Sequence, residues 1–172
     1  MNLPAGLSLE LLDRKHRRRK FASGHPSVDE WLAHKALAAM KKHTSTTRVL
    51  ARADATVAGY YSLASTALDV SLVPDALFAG ARPARPPPTL TLAWLGVDRT
   101  FAGRGLGTWL FARALADACQ AYEFVRFAAV IVDALTEENE IFYRARGFSP
   151  VPGAPGKLFL PAQTLHAVVR AR

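Results

Sequence analysis

Gly103, Gly105 and Gly107 stand at alternate positions just after an apolar run, Leu90 to Val97, and just before a segment whose apolar residues return at helical spacing. That is the pattern of a buried strand, a glycine loop and a helix. Glycine lets the backbone turn sharply and come close to a ligand, while the first N–H groups of the helix, at the positive end of its dipole, point into the loop. A phosphate or pyrophosphate is the guest such a loop suits. Spacing excludes two common phosphate loops: a dinucleotide fingerprint needs glycine where Thr108 stands, and no Gly-Lys-Ser/Thr triplet occurs.

Charge is the second chemical feature. Arg14, Lys15, Arg17, Arg18, Arg19 and Lys20 form one dense run. Residues 1–48 hold ten Lys/Arg against four Asp/Glu, so most of the net charge of +8 lies toward the N-terminal end. Such a run is either a solvated loop or a contact to phosphates whose strength falls as salt rises. The remaining reactive side chains are isolated. Cys119 sits among alanines with no activating cation near it in sequence and reads as a packing residue. His16, His25, His34, His43 and His166 show no ligand spacing, so no metal is expected.

Ala102-Gly103-Arg104-Gly105-Leu106-Gly107 resembles motif A of the GNAT superfamily of acetyl-coenzyme A dependent N-acetyltransferases, usually Gln/Arg-x-x-Gly-x-Gly/Ala; Ala102 departs from it. Asn139 to Phe148, N-E-I-F-Y-R-A-R-G-F, resembles motif B, a helix carrying Phe-Tyr that ends at Gly-Phe. The resemblance implies acetyl-coenzyme A as acyl donor, with Gly103, Arg104, Gly105, Leu106, Gly107 and Thr108 around its pyrophosphate and Asn139 as a further contact. It also implies that backbone N–H groups of Leu95, Gly96 and Val97, at a bulge in the central strand, align the thioester arm. Gly96 admits a plain packing role as well. Tyr143 is, by the same resemblance, the general acid: a phenol with pKa near 10 stays protonated at neutral pH and can donate as the thiolate departs.

The N-terminal third narrows the resemblance. Asp13, His16, Arg18, Phe21 and Gly24, then Val28-Asp29-Glu30-Trp31-Leu32, then Gly59-Tyr60-Tyr61, look like the GNAT toxins of bacterial type II toxin-antitoxin modules, with Ser23 in place of the usual cysteine. This implies an aminoacyl-tRNA substrate acetylated on its α-amine, the basic run on tRNA phosphates, a ribbon-helix-helix antitoxin as inhibitor, and a possible homodimer. Two other readings stay open: a GNAT enzyme acting on a small amine or protein N-terminus, and a non-catalytic nucleic-acid-binding module on a degenerate GNAT fold.

Around these residues the expected class is α+β, a single domain over 1–172 with a central mixed sheet flanked by helices. A strand is expected over Leu7 to Leu12. A helix follows from Ser27 to Lys42, opened by a Ser27/Glu30 capping box. Thr47 to Ala53 and Thr56 to Ala67 read as a hairpin. Pro74 to Gly80 reads as a short helix and Arg82 to Pro88 as a stiff connector. The helix after the loop runs to about Tyr122, a buried strand covers Phe124 to Val132, and Thr136 caps a helix that stops at Gly147. Phe148 to Val151 and Lys157 to Leu160 close the sheet, and Pro161 to Arg172 forms a last helix. One cysteine, no early apolar run of leader length and no apolar run long enough to span a membrane make a cytoplasmic protein with no membrane role the expectation.

Overall fold

The period-two and period-3.6 segments become strands and helices in nearly the expected order. The computed structural model describes residues 3–67 and 86–170. Its strands are β1 (Ser8–Leu11), β2 (Thr46–Ala51), β3 (Val57–Ala67), β4 (Pro88–Val97), β5 (Ala129–Asp133), β6 (Ser149–Pro150) and β7 (Lys157–Pro161). They form one mixed sheet in the order β1-β2-β3-β4-β5-β7-β6. Helices are α1 (Pro26–Glu30), α2 (Ala36–Lys41), α3 (Leu106–Phe124), α4 (Glu137–Arg144) and α5 (Leu165–Arg170). β4 and β5 pair in parallel, Leu90 opposite Val130 and Leu92 opposite Val132, which requires the helical crossover that α3 supplies. The expected helix over Pro74 to Gly80, and all but the end of the Arg82 to Pro88 connector, lie outside the described residues.

The chain divides into two compact units, one of Met1–Ala64 with Ala93–Ala114, the other of Ser65–Leu92 with Leu115–Arg172. In the first, β1, β2 and β3 pair in antiparallel order, and the hairpin turn is held by Asp54, whose carboxylate accepts from the Thr56 N–H (3.1 Å) and hydroxyl (3.0 Å). A core of Leu12, Phe21, Val28, Leu32, Ala36, Val49, Ala51, Val57 and Tyr60 lies under α1 and α2. The Tyr60 hydroxyl donates to the Val28 carbonyl at 2.7 Å, so this buried phenol is tied to structure.

The first helix departs from expectation twice. Its N-cap is His25, with Pro26 in the first turn, so the Ser27/Glu30 capping box does not form. Proline pre-sets the first helical φ and has no N–H to satisfy, which moves the start one residue earlier. Then a π turn, Trp31–Lys35, separates α1 from α2: the Ala36 N–H bonds to the Trp31 carbonyl, five residues back.

In the second unit β7 inserts between β5 and β6, antiparallel to both, with Val130 opposite Leu160 and Ser149 opposite Phe159. β5 starts at Ala129, later than the expected Phe124, because α3 carries on through Phe124 and leaves Phe124 and Val125 exposed. Apolar character in Phe124 to Ala128 belongs to the helix end and its turn, where Phe127 packs edge-on against Tyr122 (5.2 Å). Thr136 caps α4 as expected, its hydroxyl accepting from the Asn139 N–H at 3.2 Å. The last expected helix begins with a 3-10 turn, Ala162–Thr164, before α5.

Candidate active site

The root of the glycine loop is fixed by a carboxylate the sequence reading passed over. Asp98, buried at the end of β4, accepts from the Thr100 hydroxyl (2.6 Å), the Thr100 N–H (2.9 Å) and, through its other oxygen, the Ala22 N–H (2.9 Å). Burial pushes its pKa up, but these donors together outweigh it and hold the carboxyl below its ordinary value. The Arg99 N–H returns a bond to the Ala22 carbonyl (2.9 Å), so the segment that follows the basic run is fastened to the foot of the loop. Its one local signal was an Asp two residues before a Thr, the mark of an Asx turn.

Gly103 and Gly105 take φ of +73° and +74°, the left-handed region, and a methyl built on either would meet nothing within 4 Å. They are glycines for backbone reasons, and the space above them is open. The first intrahelical bond of α3 joins the Trp109 N–H to the Gly105 carbonyl (3.0 Å), so the N–H groups of Leu106, Gly107 and Thr108 have no helical acceptor. Arg104 reaches back to the Thr100 carbonyl (3.4 Å), its guanidinium 5.4 Å from the Phe101 ring. A cavity of about 390 Å³ beside the loop is lined by Arg52 and Arg104, with Gly6 and Phe101. Orphaned amides, a helix of 19 residues behind them and two guanidinium groups suit a pyrophosphate-bearing cofactor.

On β4, the ladder to β5 runs from Leu90 to Leu92 and stops, so Leu95, Gly96 and Val97 lie beyond it. A methyl on Gly96 would stand 2.6 Å from Val28 Cγ1, 3.2 Å from Phe21 and 3.3 Å from Tyr60. Of the two readings of Gly96, packing accounts for its missing side chain. Trp94, beside it, stacks on Trp31 at 5.2 Å and 16°, and the Trp31 indole donates to Ser62 (3.1 Å).

Tyr143 belongs to the second unit. It lies on α4, with Phe142 edge-on at 5.5 Å and Phe148 at 5.9 Å, and its carbonyl accepts from the Phe148 N–H after the turn at Gly147. Burial raises the phenol's pKa above its ordinary value of 10.0, and the charge of Asp133 adds to the effect. The phenol therefore stays loaded with its proton at neutral pH. Asn139 is half-buried one turn earlier, its N–H engaged by Thr136.

Cys119 has a neighbour that sequence distance hid: His166 Nδ1 lies 3.3 Å from its Sγ, and His166 Nε2 lies 2.7 Å from Glu123. Burial, then the Glu123 charge, raise the thiol's pKa, which keeps it protonated and in its packing role. The basic run is a loop ending in a 3-10 turn, Arg18–Lys20. Lys15 is paired with Glu10, whose carboxyl Lys15 and Ser8 pull down to about 2. Among the described residues no group of His, Cys, Asp and Glu is arranged to hold a metal, and no helix is long and apolar enough to cross a membrane.

With this geometry in view, residues 10–148 match the acetyltransferase (GNAT) family, and the chain belongs to it. It is an acetyltransferase that takes its acyl group from acetyl-coenzyme A. The chain is 34% identical over 149 residues, 87% of its length and 88% of the relative's, to a tRNA-acetylating toxin of Mycobacterium tuberculosis. Among solved structures, AtaT complexed with acetyl-methionyl-tRNAfMet superposes with a TM-score of 0.83 at 25% identity, covering 94% of this chain and 98% of that one. A tyrosine-to-phenylalanine mutant of the toxin AtaT, bound to the C-terminus of the antitoxin AtaR and acetyl-CoA, gives a TM-score of 0.79 at 25% identity over 95% of this chain and 98% of that one.

Proposed function

We propose that this protein is a toxin that moves the acetyl group of acetyl-coenzyme A to the α-amine of an amino acid carried on tRNA, and that a ribbon-helix-helix antitoxin restrains it. The observation that carries the reading is the likeness, spread over nearly the whole chain, to the tRNA-acetylating toxin; the N-terminal basic loop supports it. The N–H groups of Leu106, Gly107 and Thr108, which have no helical acceptor, hold the pyrophosphate of the donor together with Gly103, Arg104 and Gly105 of the loop. N–H groups of Leu95, Gly96 and Val97, on the part of β4 beyond the β5 ladder, align the thioester arm, and Asn139 gives a further contact.

The amine lone pair attacks the thioester carbonyl, the carbon–sulfur bond breaks, and the departing thiolate takes the proton of Tyr143. The proton lost by the new amide nitrogen leaves to solvent, and the Tyr143 phenolate takes a proton back from solvent, which restores the acid for the next turnover. An α-amine, of pKa about 8, is substantially neutral at cellular pH, so no strong base is required of the protein; a lysine amine near 10.4 would need one.

The test is transfer of labelled acetyl from acetyl-coenzyme A to total charged tRNA, beside deacylated tRNA and a panel of free amines. Label on charged tRNA alone, released with the amino acid, is the expected result. Label on free amines with none on charged tRNA would overturn the toxin reading while leaving the acetyltransferase intact.

A further inference from the structure

The basic run divides when its side chains are followed into the structure. Arg14 and Arg18 line an open cavity of about 450 Å³ together with His34 and Lys41, over an apolar floor of Leu37 and Ala38. The π turn prepares this place. Within that turn the Ala33 carbonyl accepts from Arg18 Nε at 3.1 Å. That bond fixes the guanidinium on the helix while its terminal nitrogens remain outside it.

The carboxylates nearby make other contacts: Asp13, next to Arg14, accepts from the Lys15 N–H at 3.2 Å. Glu10 pairs with Lys15, Glu30 with Lys35 (3.0 Å), and Asp29 accepts from the Ser23 N–H (2.7 Å) and hydroxyl (2.6 Å). Among the described residues none of them pairs with Arg14, Arg18 or Lys41. Cations that converge on one cavity without a counter-charge make an anion site, and an anchored guanidinium is the donor best shaped for phosphate oxygens.

We infer that Arg14, Arg18, His34 and Lys41 form a preformed subsite that seats a backbone phosphate of the RNA substrate, separate from the glycine loop that takes the coenzyme. The inference rests on the tRNA reading above. His34 and Lys41 extend the site beyond the basic run onto the helix, and the π turn is the device that joins the two.

The experiment uses the full chain and fluorescently labelled deacylated tRNA, with binding followed by anisotropy between about 50 and 200 mM salt. Arg14→Gln and Lys41→Gln, at exposed positions without internal bonds, should each raise Kd about tenfold near 0.1 M salt and lower the slope of log K against log salt by about 1. Lys35→Gln, the same charge change on the same helix at an ion-paired residue, should leave both unchanged, and acetyl-coenzyme A should bind all three variants like the parent. Equal losses for Lys35→Gln and Lys41→Gln, or no loss for Arg14→Gln and Lys41→Gln, would overturn the subsite. A parent protein that fails to acetylate charged tRNA while the cavity variants still lose tRNA affinity would overturn the toxin reading and leave the subsite standing.

Discussion

Tyr143 shows what one side chain gains from its surroundings. A phenol on an exposed helix face would titrate near 10; on α4, burial first and Asp133 second hold its proton more firmly. The proposed role as general acid needs a phenol that carries its proton before the thiolate forms, and Tyr143 carries its own across the whole neutral range. Tyr143→Phe should keep the ring contacts to Phe142 and Phe148, leave the dissociation constant for acetyl-coenzyme A unchanged, and lower kcat by about 10²- to 10⁴-fold. Because the raised pKa keeps the protonated form favoured, kcat of the parent should show no decline between about pH 7 and pH 9 from loss of this proton. Single-turnover measurements check both; a fully active phenylalanine variant would remove Tyr143 from the chemistry.

At the scale of elements, the loop and α3 act together. Gly103 and Gly105 supply the left-handed turns of the loop, and the helix behind them supplies a positive end. Gly105→Ala should cost about 1–2 kcal/mol of stability in urea titration, the penalty for a side chain at positive φ, since the methyl itself strikes nothing. The same methyl enters the open space above the loop, so affinity for acetyl-coenzyme A should fall more than stability does. Calorimetric titration checks that second half. Unchanged affinity would mean that the loop does not grip the coenzyme.

At the scale of the whole molecule, five of the described carboxylates are displaced in the same direction. Glu10, Glu30, Asp54, Asp98 and Glu138 all lie below their ordinary values, held there chiefly by Lys15, Lys35, Thr56, Thr100 with Ala22, and local N–H groups. A carboxylate lowered on folding contributes stability that is fully present above its unfolded pKa, near 4, and is lost as pH falls through the folded value. The urea midpoint should therefore stay level from pH 7 to about pH 5 and decline from about pH 4.5 toward the Glu10 value of about 2. A net charge of +8 that grows on protonation adds repulsion in the same window. A midpoint that held constant down to pH 2 would contradict this account.

Sequence by itself determined what is encoded locally. The period of two set the β2–β3 hairpin, the Thr136 cap set where α4 begins, and the alternate glycines set the loop between β4 and α3. Each of these depends on neighbours within a few residues. Tertiary structure decided what depends on distant partners: β7 entering between β5 and β6, Val28 filling the place of a Gly96 side chain, and His166 arriving beside Cys119. It also sorted a uniform run of cations into Lys15, spent on Glu10, and Arg18, anchored on the Ala33 carbonyl of the π turn. Charge and period are properties of single residues and their spacing, whereas a partner is a property of two positions the fold brings together, and no local spacing records that meeting.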